Sequence, residues 1–173
     1  MNTLQNLQPF KLERYFAEYE FKVRYLLSPS DCESLTMGEL LALSGPASRA
    51  RWNELRLGYT EAQGLPELRQ EIARLYPNLS AEQILLVTPE EGIFIFMHAH
   101  LRPGDEVIVI SPAYQSLLEI ARSLGCRVHE WRVQPVEGGW RLDLDWLEQT
   151  LSDQTRLLVV NFPHNPTGYL PAQ

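Results

Sequence analysis

An asparagine in a rigid turn is the strongest candidate for chemistry in this chain. Residues 161–168 read Asn-Phe-Pro-His-Asn-Pro-Thr-Gly and follow an apolar run at residues 157–160. Two prolines and a glycine predict a fixed turn after a buried strand. That turn presents the side-chain amide of Asn165 as a donor and an acceptor of hydrogen bonds. We therefore predict a binding role for Asn165, beside the alternative that it only shapes the turn.

Two further loops lie where an apolar strand passes into a helix. Residues 111–114 read Ser-Pro-Ala-Tyr, and Tyr114 can either stack on a flat heterocycle or serve as a core aromatic of the helix that follows. Residues 88–92 read Thr-Pro-Glu-Glu-Gly, a well-capped helix start whose amides can also hold a phosphate. The carboxylates of Glu90 and Glu91 oppose an anion there. Both the structural and the functional interpretation stay open for these two loops.

The elements that must position these loops alternate regularly from residue 64 onward. Periodicity and capping signals predict helices at residues 65–76, 89–101, 113–124 and 144–151, and strands at residues 84–88, 106–110, 127–133 and 156–161. Apolar strands separated by helices of crossover length are typical of βαβ units. We therefore predict an α/β fold with a mainly parallel sheet flanked by helices. Ligands of such folds gather at the carboxyl ends of the strands, where the three loops are expected.

The N-terminal part of the chain is less regular. Residues 9–23 predict an amphipathic helix, and an irregular, partly extended segment follows. Thr36 and Glu39 form a capping-box pattern before a second, short helix. At the other end, the regular alternation stops after the fourth predicted strand, so we expect the sheet to be incomplete at the C-terminus and the chain to be part of a longer protein.

Composition excludes several classes of protein. The 173 residues are 45% hydrophobic and 21% charged, with a net charge of −7, which is typical of a soluble globular domain. We expect a cytoplasmic protein without a membrane partner, because no window approaches a membrane span and the N-terminus lacks the apolar core of a signal peptide. The acidic balance disfavours a nucleic-acid partner. A nucleotide-binding domain would need Gly-x-Gly-x-x-Gly or Gly-x-x-x-x-Gly-Lys after a strand, and neither occurs.

The cysteines and histidines give no metal-binding pattern. Cys32 and Cys126 are far apart in the sequence, so we predict two reduced structural thiols. His98 and His100 stand two positions apart on a predicted helix and therefore point about 200° apart, which prevents them from sharing an ion. We predict no metal site.

Four segments, in order and spacing, resemble the class I/II aminotransferases, the fold type I enzymes that use pyridoxal 5'-phosphate. The segments are Leu-Gly-Tyr-Thr with Gly-Leu-Pro-Glu-Leu-Arg at residues 57–60 and 64–69, Pro-Gly-Asp-Glu-Val at 103–107, Pro-Ala-Tyr at 112–114, and Asn-Pro-Thr-Gly at 165–168. The resemblance covers most of residues 57–168. It implies the three-layer αβα large domain of these transferases, with residues 1–45 as an N-terminal arm and part of the small domain, and residues 46–173 as the N-terminal portion of the large domain.

The resemblance also implies a role for each candidate residue. Asn165 would hydrogen-bond the phenolic oxygen of the cofactor, and Tyr114 would stack on its pyridine ring. Tyr59 would reach the cofactor phosphate of the neighbouring subunit in a homodimer. Ser30 lies where the first segment of the family passes the substrate, as does Asp31.

The helix start at Glu90, Glu91 and Gly92 takes the place of the family's phosphate-binding turn. The family more often has Gly with Ala or Ser there, so backbone amides rather than side chains would bind the phosphate.

The lysine that forms the Schiff base in this family lies beyond the Asn-Pro-Thr-Gly turn in chain order. Lys11 and Lys22 are the only lysines and lie far upstream of it, so we assign no catalytic residue to this chain. The resemblance implies the N-terminal portion of an enzyme that transfers an amino group between an amino acid and a 2-oxo acid. We expect that portion to be inactive alone. The alternative is a non-catalytic remnant that binds the cofactor or dimerises.

Overall fold

The computed structural model describes residues 6–171, which divide into two compact units. Residues 31–88 form the smaller unit, and residues up to 30 together with residues 89–171 form the larger one. The helices in chain order are α1 (Lys11–Tyr19), α2 (Met37–Leu43), α3 (Pro46–Asn53), α4 (Pro66–Ala73), α5 (Pro89–His100), α6 (Ser116–Ser123) and α7 (Leu144–Thr150). The strands are β1 (Glu106–Ser111), β2 (Arg127–Arg132), β3 (Gln134–Val136), β4 (Gly139–Arg141) and β5 (Thr155–Val159).

A three-stranded parallel sheet in the order β2-β1-β5 is the centre of the larger unit. In its register, Ile108 of β1 lies beside His129 of β2 on one side and Leu158 of β5 on the other. The centre of β1 is β-branched and apolar, which suits a strand that is buried on both faces of the sheet. A separate antiparallel hairpin joins β3 to β4.

Side chains of β1 belong to two hydrophobic cores, one on each face of the sheet. Val107 and Val109 pack with residues of α5 and α6, including Met97 and Ile120. On the opposite face, Ile108 and Ile110 pack with Trp131 of β2 and Leu142, against which Trp146 of α7 is partly buried. Helices therefore cover both faces of a parallel sheet, which confirms the predicted α/β fold.

Local signals explain where the helices of the larger unit begin and end. Asp143 caps α7, because its carboxylate accepts a hydrogen bond from the Trp146 amide at 3.0 Å. Gly125 follows the end of α6 with φ +82°, a conformation that favours glycine. A Cβ there would also meet Pro103 Cβ at 3.3 Å, so the turn into β2 requires a small residue.

The smaller unit is mostly helical. The predicted capping box of α2 is confirmed, since the Thr36 hydroxyl accepts from the Glu39 amide at 3.2 Å and the Glu39 carboxylate accepts from the Thr36 amide at 2.7 Å. That backbone hydrogen bond lowers the pKa of Glu39. Arg69 of α4 ties the unit together by donating to the carbonyl oxygens of Gly64 and Ala81 at 3.1 and 2.8 Å.

Residues 84–88 are not a strand, contrary to the sequence prediction. The segment is extended, but its backbone contact is a hydrogen bond from the Leu86 amide to the Gln63 carbonyl at 3.0 Å, within the smaller unit. Leu86 also packs so closely on Gly64 that a Cβ at this glycine would lie 2.4 Å from it. The apolar run therefore packs on the preceding loop instead of entering the sheet. The sequence likewise did not indicate α3 or the β3–β4 hairpin.

The predicted boundary between residues 45 and 46 stays a prediction, because the two compact units are defined by contacts and not by the family's domains. The other elements match their predicted spans within a few residues.

Candidate functional site

The loops after β1 and β5 leave the same edge of the sheet. The two strands are adjacent and parallel, with Val109 opposite Val159 near their carboxyl ends. The loop at residues 111–114, which we call the tyrosine loop, and the turn at residues 161–169, which we call the asparagine turn, are therefore neighbours. The register places both loops at the carboxyl edge of the sheet, where the sequence predicts them.

Backbone hydrogen bonds close the asparagine turn around one residue. The His164 amide donates to the Tyr169 carbonyl at 2.8 Å, and the Gly168 amide donates to the His164 carbonyl at 2.6 Å. Gly168 has φ +72°, which favours glycine at this position. The side chain of Asn165 is exposed, and its amide nitrogen donates to the Ser30 hydroxyl at 3.2 Å. The turn thus holds the Asn165 amide at the surface, next to Ser30.

Tyr114 is half-buried and precedes α6 by two residues, so it is not a core aromatic within that helix. Its phenol donates a hydrogen bond to the carboxylate of Glu13 in α1. The neighbouring Gln115 amide donates to the Pro9 carbonyl at 3.1 Å and accepts from the Lys11 amide at 2.9 Å. Three hydrogen bonds therefore fasten the N-terminal helix to the tyrosine loop.

The first turns of α5 lie beside the carboxyl end of β5. Gly92 and Ile93 line the same apolar cavity, of about 350 Å³, as Leu117 of α6 and residues 157–160 of β5 and its end. Glu90 and Glu91 are exposed. The start of α5 thus lies on the same side of the sheet as α6, close to where the asparagine turn begins.

Two buried polar atoms lie where these loops begin. Within residues 6–171, neither the Asn161 side-chain oxygen nor the Ser116 hydroxyl has a hydrogen-bond partner. Asn161 follows β5, and Ser116 is the first residue of α6. Buried polar atoms usually have partners, and a bound group is one explanation of an exception. Unsatisfied polar atoms, an exposed amide and an aromatic ring therefore share this edge of the sheet.

Tyr59 lies on the smaller unit and is fully exposed. Its predicted contact with the cofactor phosphate of a neighbouring subunit stays a prediction.

A search of protein families gives a match to "Aminotransferase class I and II" over residues 39–173, more than half of the chain. The chain belongs to this family. The match includes all the segments on which the sequence resemblance rested, and it confirms that resemblance.

Curated relatives of the chain are named for different activities. The chain is 37% identical to capreomycidine synthase of Streptomyces vinaceus over 166 residues, which cover 95% of this chain and 42% of the synthase. It is 37% identical to the aspartate/prephenate aminotransferase of Thermus thermophilus over 131 residues, covering 70% of this chain and 33% of that enzyme. The chain thus spans less than half the length of these relatives.

Solved aminotransferase structures share the fold. A PLP-dependent aminotransferase from Streptococcus suis superposes with a TM-score of 0.82 at 30% identity, over 92% of this chain and 44% of that one. A single mutant of the Thermus thermophilus aspartate aminotransferase gives a TM-score of 0.75 at 28% identity, over 96% of this chain and 45% of that one. These likenesses confirm the predicted transferase fold over part of its length.

Sequence reasoning named Asn165 and Tyr114 in this aminotransferase chain but gave no role to three side chains that hold them. Glu13 and Gln115 fasten the tyrosine loop, and His164 fills the asparagine turn. Each of these three residues contacts a segment that is far away in the sequence. The position of His164 directly before Asn165 was the one available signal in the sequence.

Among residues 6–171, no group of three or more metal-binding side chains is close enough to hold an ion, and no helix has the length and apolarity that a bilayer crossing requires. Cys32 is exposed and Cys126 is buried, and both are free thiols. Burial raises the pKa of the Cys126 thiol, with a smaller contribution from the charge of Asp105.

Proposed function

We propose that this chain is the N-terminal portion of a pyridoxal phosphate-dependent aminotransferase, which moves an amino group between an amino acid and a 2-oxo acid. The observation that carries the proposal is the meeting of the tyrosine loop and the asparagine turn at one sheet edge, beside the start of α5. Several of the curated relatives are named as aminotransferases. The substrate specificity of this chain stays outside the proposal.

The donor set at this edge suits pyridoxal phosphate. The cofactor is a flat heterocycle with a phenolic oxygen and a phosphate, and it supplies an electron sink for the bond changes of amino transfer. Asn165 offers an exposed N–H donor, and Tyr114 offers an aromatic ring. The unpartnered Asn161 oxygen and Ser116 hydroxyl leave further polar atoms there for a bound group. The chemistry of these residues therefore fits the cofactor.

Each residue has a physical role in the proposal. The Asn165 amide donates to the phenolic oxygen and favours its ionised form, because a hydrogen bond to a charged acceptor stabilises the charge. The ring of Tyr114 stacks on the pyridine ring and excludes water from one of its faces. Backbone amides of residues 90–92 bind the phosphate at the start of α5, and the side chains of Glu90 and Glu91 take no part in binding it.

No residue of this chain is assigned as the general acid or base of the reaction. Lys11 begins α1 and donates its backbone amide to Gln115, and Lys22 follows the same helix. We propose that the lysine of the reaction belongs to a segment outside this sequence. We also propose that the protein acts as a cytoplasmic homodimer, in which Tyr59 contributes to the partner's phosphate site.

Reconstitution with a second chain tests this proposal. The 173-residue chain is expressed alone and together with a chain that supplies the remaining portion of the Thermus thermophilus aspartate/prephenate aminotransferase. Pyridoxal phosphate binding is followed by absorbance, and amino transfer to 2-oxo acids is followed with a panel of amino acids. We expect no transfer by the chain alone and transfer by the pair.

A matched control distinguishes this outcome from general instability. Asn165→Ala in the chain should abolish most of the reconstituted transfer, whereas the same change at Asn78, an exposed residue of the smaller unit, should leave it unchanged. Cofactor binding by the chain with no transfer by any pair would instead favour the non-catalytic remnant. Neither binding nor transfer would overturn the proposal.

A further inference from the structure

A buried histidine fills the asparagine turn. His164 is 1% exposed, although Pro163 and Asn165 on either side of it are exposed. Its Nε2 lies 2.8 Å from the carbonyl oxygen of Pro112 in the tyrosine loop, and its Nδ1 lies 2.7 Å from the hydroxyl of Thr167 in its own turn. Because one imidazole contacts both loops, it is a direct link between the segments that carry Tyr114 and Asn165.

The partners of the ring assign its tautomer. A carbonyl oxygen only accepts hydrogen bonds, so the proton must be on Nε2, which donates to Pro112. In the neutral ring Nδ1 is then an acceptor, and the Thr167 hydroxyl donates to it. The same hydroxyl accepts a hydrogen bond from the Tyr169 amide at 3.2 Å. Both nitrogens and the hydroxyl are satisfied in this arrangement.

The two hydrogen bonds of the ring have different consequences. The Nδ1 bond stays within the turn, three residues apart, and stabilises the local conformation. The Nε2 bond joins positions 52 residues apart and fixes the asparagine turn relative to the tyrosine loop. Only the second bond bears on the separation of Asn165 and Tyr114. The two bonds can therefore be tested independently.

We propose that His164 is a positioning residue of the cofactor site, which sets the separation of the Tyr114 ring and the Asn165 amide through its Nε2–H bond to the Pro112 carbonyl. This inference rests on the proposed function, because it assumes that both side chains bind one heterocycle. Hydrogen bonding at its phenolic oxygen and stacking on its ring both depend on placement, so a shift of one loop against the other weakens both contacts together.

Two amide substitutions separate the bonds. In His164→Gln the longer side chain places its amide near the position of Nε2, so it keeps the bond to Pro112 and loses the bond to Thr167. In His164→Asn the shorter side chain places its amide near the position of Nδ1, so it keeps the bond to Thr167 and loses the bond to Pro112. Each variant retains one of the two bonds, and the pair is matched in chemistry.

The first readout does not need the cofactor. Amide resonances of the 173-residue chain are compared by NMR. We expect His164→Asn to move or broaden resonances of the tyrosine loop and of the Asn165 side chain, while His164→Gln moves mainly those of residues 165–169. Nitrogen shifts of the imidazole in the unmodified chain should show the proton on Nε2.

The second readout is the affinity for pyridoxal phosphate, measured by titration of the same chain. We expect binding about fivefold to tenfold weaker in His164→Asn and less than twofold weaker in His164→Gln, because the loss of one neutral hydrogen bond is a change of about that size. Thr167→Val removes the two hydrogen bonds that the hydroxyl makes within the turn, with His164 and with Tyr169, and leaves the bond to Pro112 in place. It is the control and should behave like His164→Gln.

The outcomes are distinguishable. Equal loss of affinity in both His164 variants, in step with equal loss of thermal stability, would mean that the ring is only part of the core and would overturn the inference. If the unmodified chain binds no pyridoxal phosphate, the cofactor site fails for this chain. The NMR resonances still show whether the bond from His164 to Pro112 positions the two loops. Shifts in His164→Asn that stay within residues 165–169 would overturn the inference.

Discussion

Strands β1 and β5 have similar apolar sequences but very different surroundings. Residues 107–110 of β1 read Val-Ile-Val-Ile and are completely buried, because β1 has a strand on each side and helices on both faces. Residues 157–160 read Leu-Leu-Val-Val, yet Leu158 is 41% exposed and Val160 is 46% exposed. Within the described residues, β5 pairs only with β1. The same residue pattern therefore indicates a strand but not its place in the sheet.

The difference matters because each strand ends in one half of the candidate site. The tyrosine loop follows the buried strand and is fastened by α1, whereas the asparagine turn follows the edge strand and presents an exposed amide. One loop of the site follows a buried strand and the other follows a partly exposed strand. A contact between the two loops is therefore needed to hold them at a fixed separation. The contact of His164 with Pro112 is such a link.

The largest effect is expected from a pair of substitutions on adjacent strands. Ile108 of β1 lies opposite Leu158 of β5 in the register. Ile108→Ala removes methylenes from a fully buried site and should lower the free energy of unfolding by about 2–5 kcal/mol. Leu158→Ala should cost about 1 kcal/mol, because much of that side chain already contacts water. Urea unfolding measures both, and equal losses would remove the contrast between the strands.

The sequence predicted the central elements of the larger unit because their signals are local. The apolar runs of β1 and β5 and the periodicity of α6 and α7 appear in the structure within a few residues of the expected bounds. The run at residues 84–88 is apolar like β1 and β5, but it packs on Gln63 and Gly64. An apolar sequence does not specify which segment it packs against. The predicted strand there was wrong for that reason.

Other features were missed because their signals are weak or lie far apart in the chain. Helix α3 is exposed along its length and has no apolar stripe to detect. The β3–β4 hairpin has Gly138 in its two-residue turn, which is a hairpin signal, but its strands are only three residues long and one contains Pro135. The burial of His164 depends on a carbonyl from a loop 52 residues earlier.

A second prediction concerns the exposed amide of the asparagine turn. Asn165→Ala should leave the free energy of unfolding nearly unchanged, because the side chain is exposed and its one described contact is with Ser30. Its affinity for pyridoxal phosphate should fall by about 1.5–3 kcal/mol, the value of a hydrogen bond to a charged group. Titration and urea unfolding of the same variant separate the two effects. A loss of stability with normal affinity would show that Asn165 only shapes the turn.

A third prediction concerns the backbone of the same turn. Gly168 has φ +72°, so an alanine there must adopt a left-handed conformation at a cost of about 1–2 kcal/mol. A Cβ at this position meets no heavy atom within 4 Å, so the expected loss is conformational and not steric. Gly58→Ala is the control, because Gly58 also has open space and no positive φ. Equal stability of the two variants in urea would contradict the proposed strain.

The smallest effect is expected at the end of β1, where Glu130 of β2 joins the two strands. Its carboxylate accepts from the Ser111 hydroxyl at 3.0 Å and from Arg122 at 2.8 Å, with Arg132 at 3.7 Å. Burial raises the pKa of Glu130, but these hydrogen bonds and charges outweigh it and hold the pKa below the ordinary value. A lowered folded pKa means that the stabilisation is present above the unfolded pKa of about 4.3 and is lost as the pH falls through the folded value.

Glu130→Gln should therefore reduce stability at neutral pH and flatten its decline below about pH 4.3, where the unfolded carboxylate becomes protonated before the native one. We expect a difference of at most about 1 kcal/mol, since the side chain is 28% exposed and solvent screens its ion pairs. Urea midpoints measured from neutral to acidic pH test this, with Glu148→Gln at an exposed position of α7 as the matched change. Parallel pH profiles for Glu130→Gln and the unmodified chain would show that this carboxylate does not secure the end of β1, and the rigidity of the tyrosine loop would then have to come from α1 and His164.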